Sequence, residues 1–218
     1  MNMYDTYIFD LDGTLLDTLD DLMDAVNHTM QTFGYPTHSR EEIRRFVGNG
    51  AARLIQLAVP AGEDWEAPLA QFQQYYKTHC QIKTAAYPGI PQALQALSAH
   101  PIAIVSNKPD AATKRLCAEY FPGICAQGEH PGCPRKPAPD MVRAAMAQIG
   151  ADRCIYVGDS EVDVLTAANA GVPCLSVLWG FRNRPEIQAA GGTHFCASPA
   201  EMPACLEKMI KELEENGQ

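Results

Sequence analysis

Four short runs dominated by apolar residues recur along the chain: Tyr7 to Leu11, Ile102 to Ser106, Cys154 to Gly158 and Cys174 to Leu178. Each gives way to polar residues or glycine, and none shows the alternation of a strand with one wet face. That is the signature of parallel strands buried on both sides. A weaker candidate lies near Thr193 to Cys196. The later intervals carry the helical period instead. Ile90, Ala93, Leu94 and Leu97 form one apolar stripe, and Met202, Leu206, Met209, Ile210 and Leu213 form another. Strands alternating with helices predict βαβ units around a parallel sheet.

Between the first and second runs the alternation stops. From Leu16 to Tyr87 the pattern is helical and almost free of strand signals. Leu19, Leu22, Val26, Met30 and Phe33 make a stripe, with Gly34 placed to end it. Further helices are predicted over Ser39 to Phe46, Ala51 to Leu57 and Asp64 to Gln81. A stretch of about seventy residues is too long for a single crossover helix. It reads as a small helical cap, 17–86, inserted after the first strand of a core made of 1–16 and 87–218.

The formal net charge of −9 argues against a nucleic-acid backbone as partner. It leaves room for a small anionic substrate that meets a local positive centre. No apolar run reaches the length of a membrane span, and Met1 to Asp12 lacks the basic start of a secretory signal, so the chain is expected in the cytoplasm. Cys125, His130 and Cys133 fall close together but match no common zinc spacing. All eight cysteines are read as reduced.

Ligands of open α/β sheets bind beyond the carboxyl ends of the strands. After the first run comes Asp10-Leu11-Asp12-Gly13-Thr14, whose carboxylates at i and i+2 project to one side. After the second come Ser106, Asn107 and Lys108, and after the third Gly158-Asp159-Ser160-Glu161, with Asp163 a turn further on. Arg135-Lys136-Pro137-Ala138-Pro139 puts Lys136 in a proline-braced loop. Asp17 is placed to cap the helix that follows it. In the insert, Gly48-Asn49-Gly50 precedes a helix, either as N–H groups facing an anion or as an ordinary turn. Arg53, one turn on, is a candidate to meet a substrate carboxylate.

With these four elements in order and the helical insert directly after the first, the chain resembles the phosphatases of the haloacid dehalogenase superfamily nearly end to end. Leu15-Leu16-Asp17-Thr18, Asn107-Lys108-Pro109-Asp110 and Arg135-Lys136-Pro137-Ala138-Pro139-Asp140 resemble its phosphoglycolate phosphatase branch. The resemblance implies a Rossmann-like core and a Mg²⁺-dependent phosphatase of small phosphate esters. It makes Asp10 the nucleophile that forms an aspartyl-phosphate, and Asp12 the general acid and base. Ser106 and the backbone N–H of Asn107 would bind the phosphoryl oxygens, and Lys136 would brace Asp10. Asp10 and Asp159 would ligate Mg²⁺ by carboxylate and Asp12 by its backbone carbonyl, with Asp163 acting directly or through water.

Charge balance supports those roles. Ionised Asp10, Asp159 and Asp163 facing a phosphate dianion need a compensating cation besides Lys136. For Asp12 to hold a transferable proton, its carboxylate neighbours are expected to raise its pKa. A pyrophosphatase or a β-phosphoglucomutase-like mutase of the same superfamily would share this core, as would a non-catalytic phosphate-binding regulator. A dehalogenase would not need Asp12 or Asp159. The chain is expected as a monomer or homodimer.

Overall fold

The computed structural model describes residues 4–215. At its centre is β1 (Tyr7–Phe9), paired in parallel with β4 (Ile102–Pro109) on one side and β6 (Ile155–Gly158) on the other. Beyond β4 lies β5 (Cys125–Glu129), and beyond β6 lie β7 (Cys174–Val177) and β8 (His194–Cys196), giving the order β5-β4-β1-β6-β7-β8. Side chains alternate between two faces. Phe9, Ile104 and Val157 enter one core with α5 (Ile90–Ala96), α6 (Asp110–Tyr120) and α9 (Met202–Glu215). Ile8, Ala103, Val105 and Tyr156 enter the other, with α7 (Asp140–Ile149) and α8 (Glu161–Ala170). The double covering explains why these strands read as unbroken apolar runs.

Register sets the site. Phe9 stands abreast of Ile104 and of Val157. The residues that follow, Asp10, Ser106 and Asp159, therefore emerge at one end of the sheet, where the strand order reverses between β4 and β6.

The insert hangs from a two-stranded antiparallel stem, β2 (Leu16–Asp17) with β3 (Ala85–Ala86). Between them run α1 (Leu19–Thr32), α2 (Arg40–Phe46), α3 (Gly50–Ala58) and α4 (Glu66–His79). Their buried faces form a cluster of their own that includes Leu22, Val26, Ile43, Ile55 and Phe72. Phe181 and Ala112 join it from the sheet side. Ser39 closes α2 with a capping box to Glu42, and Asp17 Oδ1 accepts the Leu19 N–H at the start of α1. Gly34, at φ +71, follows the end of α1.

The four helices of the insert agree with the sequence expectation to within about two residues, the usual scatter of helix ends. Three strands were not expected. β5 has the sequence Cys-Ala-Gln-Gly-Glu on the sheet edge, too polar and too partly exposed to show an apolar run. β2 and β3 are each two residues long. Among the described residues no helix is long and apolar enough to cross a membrane.

Candidate active site

Asp10 follows β1 and is held in line by its N–H, which donates to the Val157 carbonyl at 2.8 Å. The side chain is buried. Its Oδ1 accepts from Lys136 Nζ at 2.6 Å, and the same ammonium donates to Asp163 Oδ1 at 2.9 Å and to Tyr156 Oη at 3.0 Å. All three of its N–H donors are thereby used. Burial lowers the Lys136 pKa, but Asp10, Asp163 and Tyr156 together raise it well above the lysine range.

Asp159 begins the turn into α8. Its Oδ2 accepts the Phe181 N–H at 2.6 Å and its Oδ1 the Thr14 hydroxyl at 3.2 Å. The turn at Gly13 (φ +89) passes so close that a Cβ there would lie 2.4 Å from the Asp159 carboxylate, so only glycine fits. Asp163, four residues on, accepts at Oδ2 from the Ser160 hydroxyl (2.6 Å) and from the Ser160 and Asp159 N–H groups (3.1 and 3.2 Å). Asp163 is thus both the capping partner of α8 and a fixed carboxylate beside Asp10.

Carboxylate oxygens of Asp10, Asp159 and Asp163 lie within 4.8 Å of one another, and all three residues are buried. Burial pushes Asp10 well above the carboxylate range, opposed by Lys136 and reinforced by Asp163, Asp159 and Asp12. Burial and Asp163 push Asp159 up to about 7, against the Phe181 N–H and the charges of Arg182 and Lys136. A knot of hard, charge-crowded oxygen donors of this kind fits a divalent cation such as Mg²⁺. A second group of potential ligands, Cys196, Glu201 and Cys205, lies at the end of β8 and in the segment after it, and lines no part of the cavity over Asp10.

The carboxylates open on a cavity of about 60 Å³. By a measure in which one water needs about 10–15 Å³, it holds roughly four waters or one small solute. Asp10, Asp12, Ser106, Lys108, Lys136 and Asp159 line it from the sheet, and Val47, Gly48, Gly50, Ala51 and Leu54 from the insert. The roof is pinned from both sides. Arg182 donates to the Arg44 and Val47 carbonyls at 2.8 Å each and pairs with Glu161 at 2.9 Å. Arg44 returns a bond to the Phe181 carbonyl, and Asn107 Nδ2 reaches the Gly48 carbonyl at 3.1 Å.

Comparison with known proteins agrees with this arrangement. Residues 7–177 match the family model of the haloacid dehalogenase-like hydrolases. The phosphoglycolate phosphatase of Rhodobacter capsulatus is 37% identical over 191 residues, 82% of this chain and 86% of its own. Phosphoglycolate phosphatase 1 of Pseudomonas aeruginosa is 34% identical, over 84% of this chain and 73% of its own. The chain belongs to the haloacid dehalogenase-like hydrolase family. Within that family it is an enzyme of the phosphoglycolate phosphatase-like branch. The crystal structure of a Lactobacillus delbrueckii subsp. bulgaricus protein, 36% identical, superposes with a TM-score of 0.84 over 91% of this chain and 96% of that one.

Asp12 is met directly by two hydroxyls and an ammonium. Its Oδ1 accepts from the Thr18 hydroxyl at 2.6 Å and pairs with Lys108 Nζ at 2.9 Å, and its Oδ2 accepts from Ser106 Oγ at 3.2 Å. The chain turns at Gly13 and bridges back at Leu16, and the Asp12 side chain meets Thr18 beside the stem and Ser106 and Lys108 of β4.

The expected binding residues divide. Ser106 and Asn107 both line the cavity. Asn107 spends its side chain on structure: besides Gly48, it exchanges hydrogen bonds with the Lys136 backbone at 2.8 and 3.0 Å. Gly48 and Gly50 border the cavity, whereas Asn49, which caps α3, does not line it. Arg53 is exposed and outside it. Gly50, Ala51 and Leu54 share one stripe of α3, and at about 100° per residue Arg53 falls about 110° round from its centre.

Thr18, Tyr76 and Arg182 carry no local sequence signal for a place in the site. Lys108 stands in one of the motif runs, but a lysine after a strand is ordinarily solvated, and only the fold shows it buried.

Proposed function

We propose that this hydrolase is a Mg²⁺-dependent phosphatase of small organic phosphate monoesters, with 2-phosphoglycolate as its leading substrate. The observation that carries the reading is Asp10 itself. It is fixed through one oxygen by Lys136 and set beside Asp159 and Asp163 at the wall of a cavity sized for a small solute. The named activity of the relatives points the same way.

Asp10 and Asp159 would hold Mg²⁺ by carboxylate and Asp12 by its backbone carbonyl, with Asp163 acting directly or through water. The bound ion supplies the positive charge that lets a phosphate dianion approach several carboxylates. The Asp10 oxygen not held by Lys136 attacks phosphorus, the bond from phosphorus to the ester oxygen breaks, and Asp12 gives that oxygen a proton. An aspartyl-phosphate on Asp10 results. Asp12, again a carboxylate, then takes a proton from a water that attacks the phosphoryl group, releasing inorganic phosphate and free Asp10. Ser106 and the Asn107 N–H hold phosphoryl oxygens. Gly48, Asn49 and Gly50 bring the N-terminus of α3 to the cavity roof, where its N–H groups favour anionic contents. In this reading 17–86 act as a cap over a core of 1–16 and 87–218, and closure keeps bulk water from the reaction.

Phosphate release over a metabolite panel, with and without Mg²⁺, tests the proposal. Release from 2-phosphoglycolate that depends on Mg²⁺ is expected. Isomerised sugar phosphate without net release would instead indicate a mutase, and preference for pyrophosphate a pyrophosphatase.

A further inference from the structure

The mechanism just described leaves one buried charge without a task. Lys108 lines the cavity, its side chain is 3% exposed, and its ammonium lies 2.9 Å from Asp12 Oδ1 and 2.6 Å from Tyr76 Oη. Tyr76 comes from α4 of the insert, is itself buried, and offers its ring to the same ammonium at 4.7 Å from the centroid. Two of the three N–H donors of Lys108 are engaged by these partners, and the third remains for a ligand. The other cations that line the cavity are committed. Lys136 is spent on Asp10, Asp163 and Tyr156, and Arg182 on Glu161 and the carbonyls that end α2.

Position then says what Lys108 meets. An acid that protonates the leaving oxygen must come within about 2.6–3.2 Å of it. Lys108 stands one further hydrogen bond beyond Asp12 Oδ1, so when that oxygen delivers the proton its ammonium is within about 6 Å of the leaving oxygen. A carboxylate on the carbon that bears the ester oxygen falls within that span, with room for one N–H···O bond.

The geometry points to Lys108, positioned by Tyr76, as the specificity-determining residue that binds the carboxylate of the leaving group and selects phosphate esters of short 2-hydroxy acids. This rests on the phosphatase reading above and replaces Arg53 with a buried cation. A buried ammonium discriminates strongly, because a substrate without the carboxylate excludes water from it and offers nothing in return.

The test compares kcat/KM for 2-phosphoglycolate with that for ethyl phosphate, which has the same carbon count and no carboxylate, in Mg²⁺. The proteins are the unmodified enzyme, Lys108→Met and Tyr76→Phe. The ratio of the two constants cancels whatever Lys108 does through Asp12. Lys108→Met is expected to lower the ratio by about 10- to 100-fold, carried mainly by KM for 2-phosphoglycolate, as loss of a charged hydrogen bond requires. Tyr76→Phe is expected to lower it less, in the same direction. An unchanged ratio, or an equal fall for both esters, overturns the assignment. Should Lys108→Met fail to fold, Tyr76→Phe decides alone, an unchanged ratio again overturning it. An unmodified enzyme that hydrolyses both esters equally sinks this inference while leaving the phosphatase reading intact. One that hydrolyses neither sinks that reading.

Discussion

Lys136 is the only cation within hydrogen-bond distance of Asp10 and Asp163 among the described residues, and it is buried with both. Replacing it with Met leaves two buried carboxylates unpaired. Breaking a buried pair in this way costs about 3–5 kcal/mol. Lys136→Met should therefore lower the urea midpoint sharply as well as abolish turnover, and near-normal stability would contradict the pairing described here. Asp159 makes a different prediction. Its pKa is about 7 in the folded, cation-free chain against an ordinary 3.8. The folded state thus holds more protons than the unfolded state between those values, so cation-free stability falls as pH rises through that window. A cation needs the carboxylate form, so its stabilising effect grows over the same window. Melting curves with and without Mg²⁺ from about pH 5.5 to 8 should diverge as pH rises; a gap independent of pH would count against Asp159 as a ligand. The convergence of Asp10, Asp12, Asp159 and Lys136 was legible because the aspartates come at or just after the ends of recognisable apolar runs and Lys136 stands in a proline-braced loop. Lys108 was not, because its burial depends on α4, some thirty residues away in sequence, closing over it.

The elements that hold the roof in place are short and polar where they meet. The last turn of α2 leaves carbonyls that no helical N–H can reach, and Arg182 satisfies those of Arg44 and Val47 from the sheet side. Arg182→Ala should cost about 1–3 kcal/mol through these lost partners, with its pairing to the part-exposed Glu161 adding little. Hydrogen exchange should locate the loss. Protection is expected to fall in α2 and α3 while β1 keeps its own, and a uniform fall would show that Arg182 does not act at this contact. None of this was readable from the chain, since Arg182 lies in a loop with no periodicity to report its partner. β5 and the β2–β3 stem escaped for a related reason. A polar edge strand and two-residue strands take their form from the neighbours they pair with. The helices of the insert, whose stripes and caps are local, were readable almost to their ends.

For the whole molecule, α/β alternation interrupted by one helical stretch determined both the sheet and the place of the insert. What no periodicity conveys is how the two cores meet, and that junction sets the size of the cavity. A cavity of about 60 Å³ under a pinned roof predicts that small monoesters are hydrolysed and that a phosphoserine peptide is not, on a panel assayed at equal concentration. In the proposed mechanism Asp10 carries the phosphoryl group between substrate and water. Mass spectrometry of Asp10-containing peptides from an acid-quenched reaction with 2-phosphoglycolate and Mg²⁺ tests it most directly. The account predicts the added mass of one phosphoryl group on Asp10, and loss of both the adduct and phosphate release in Asp10→Asn. Undiminished phosphate release by Asp10→Asn, or a phosphoryl group on another residue, would contradict it.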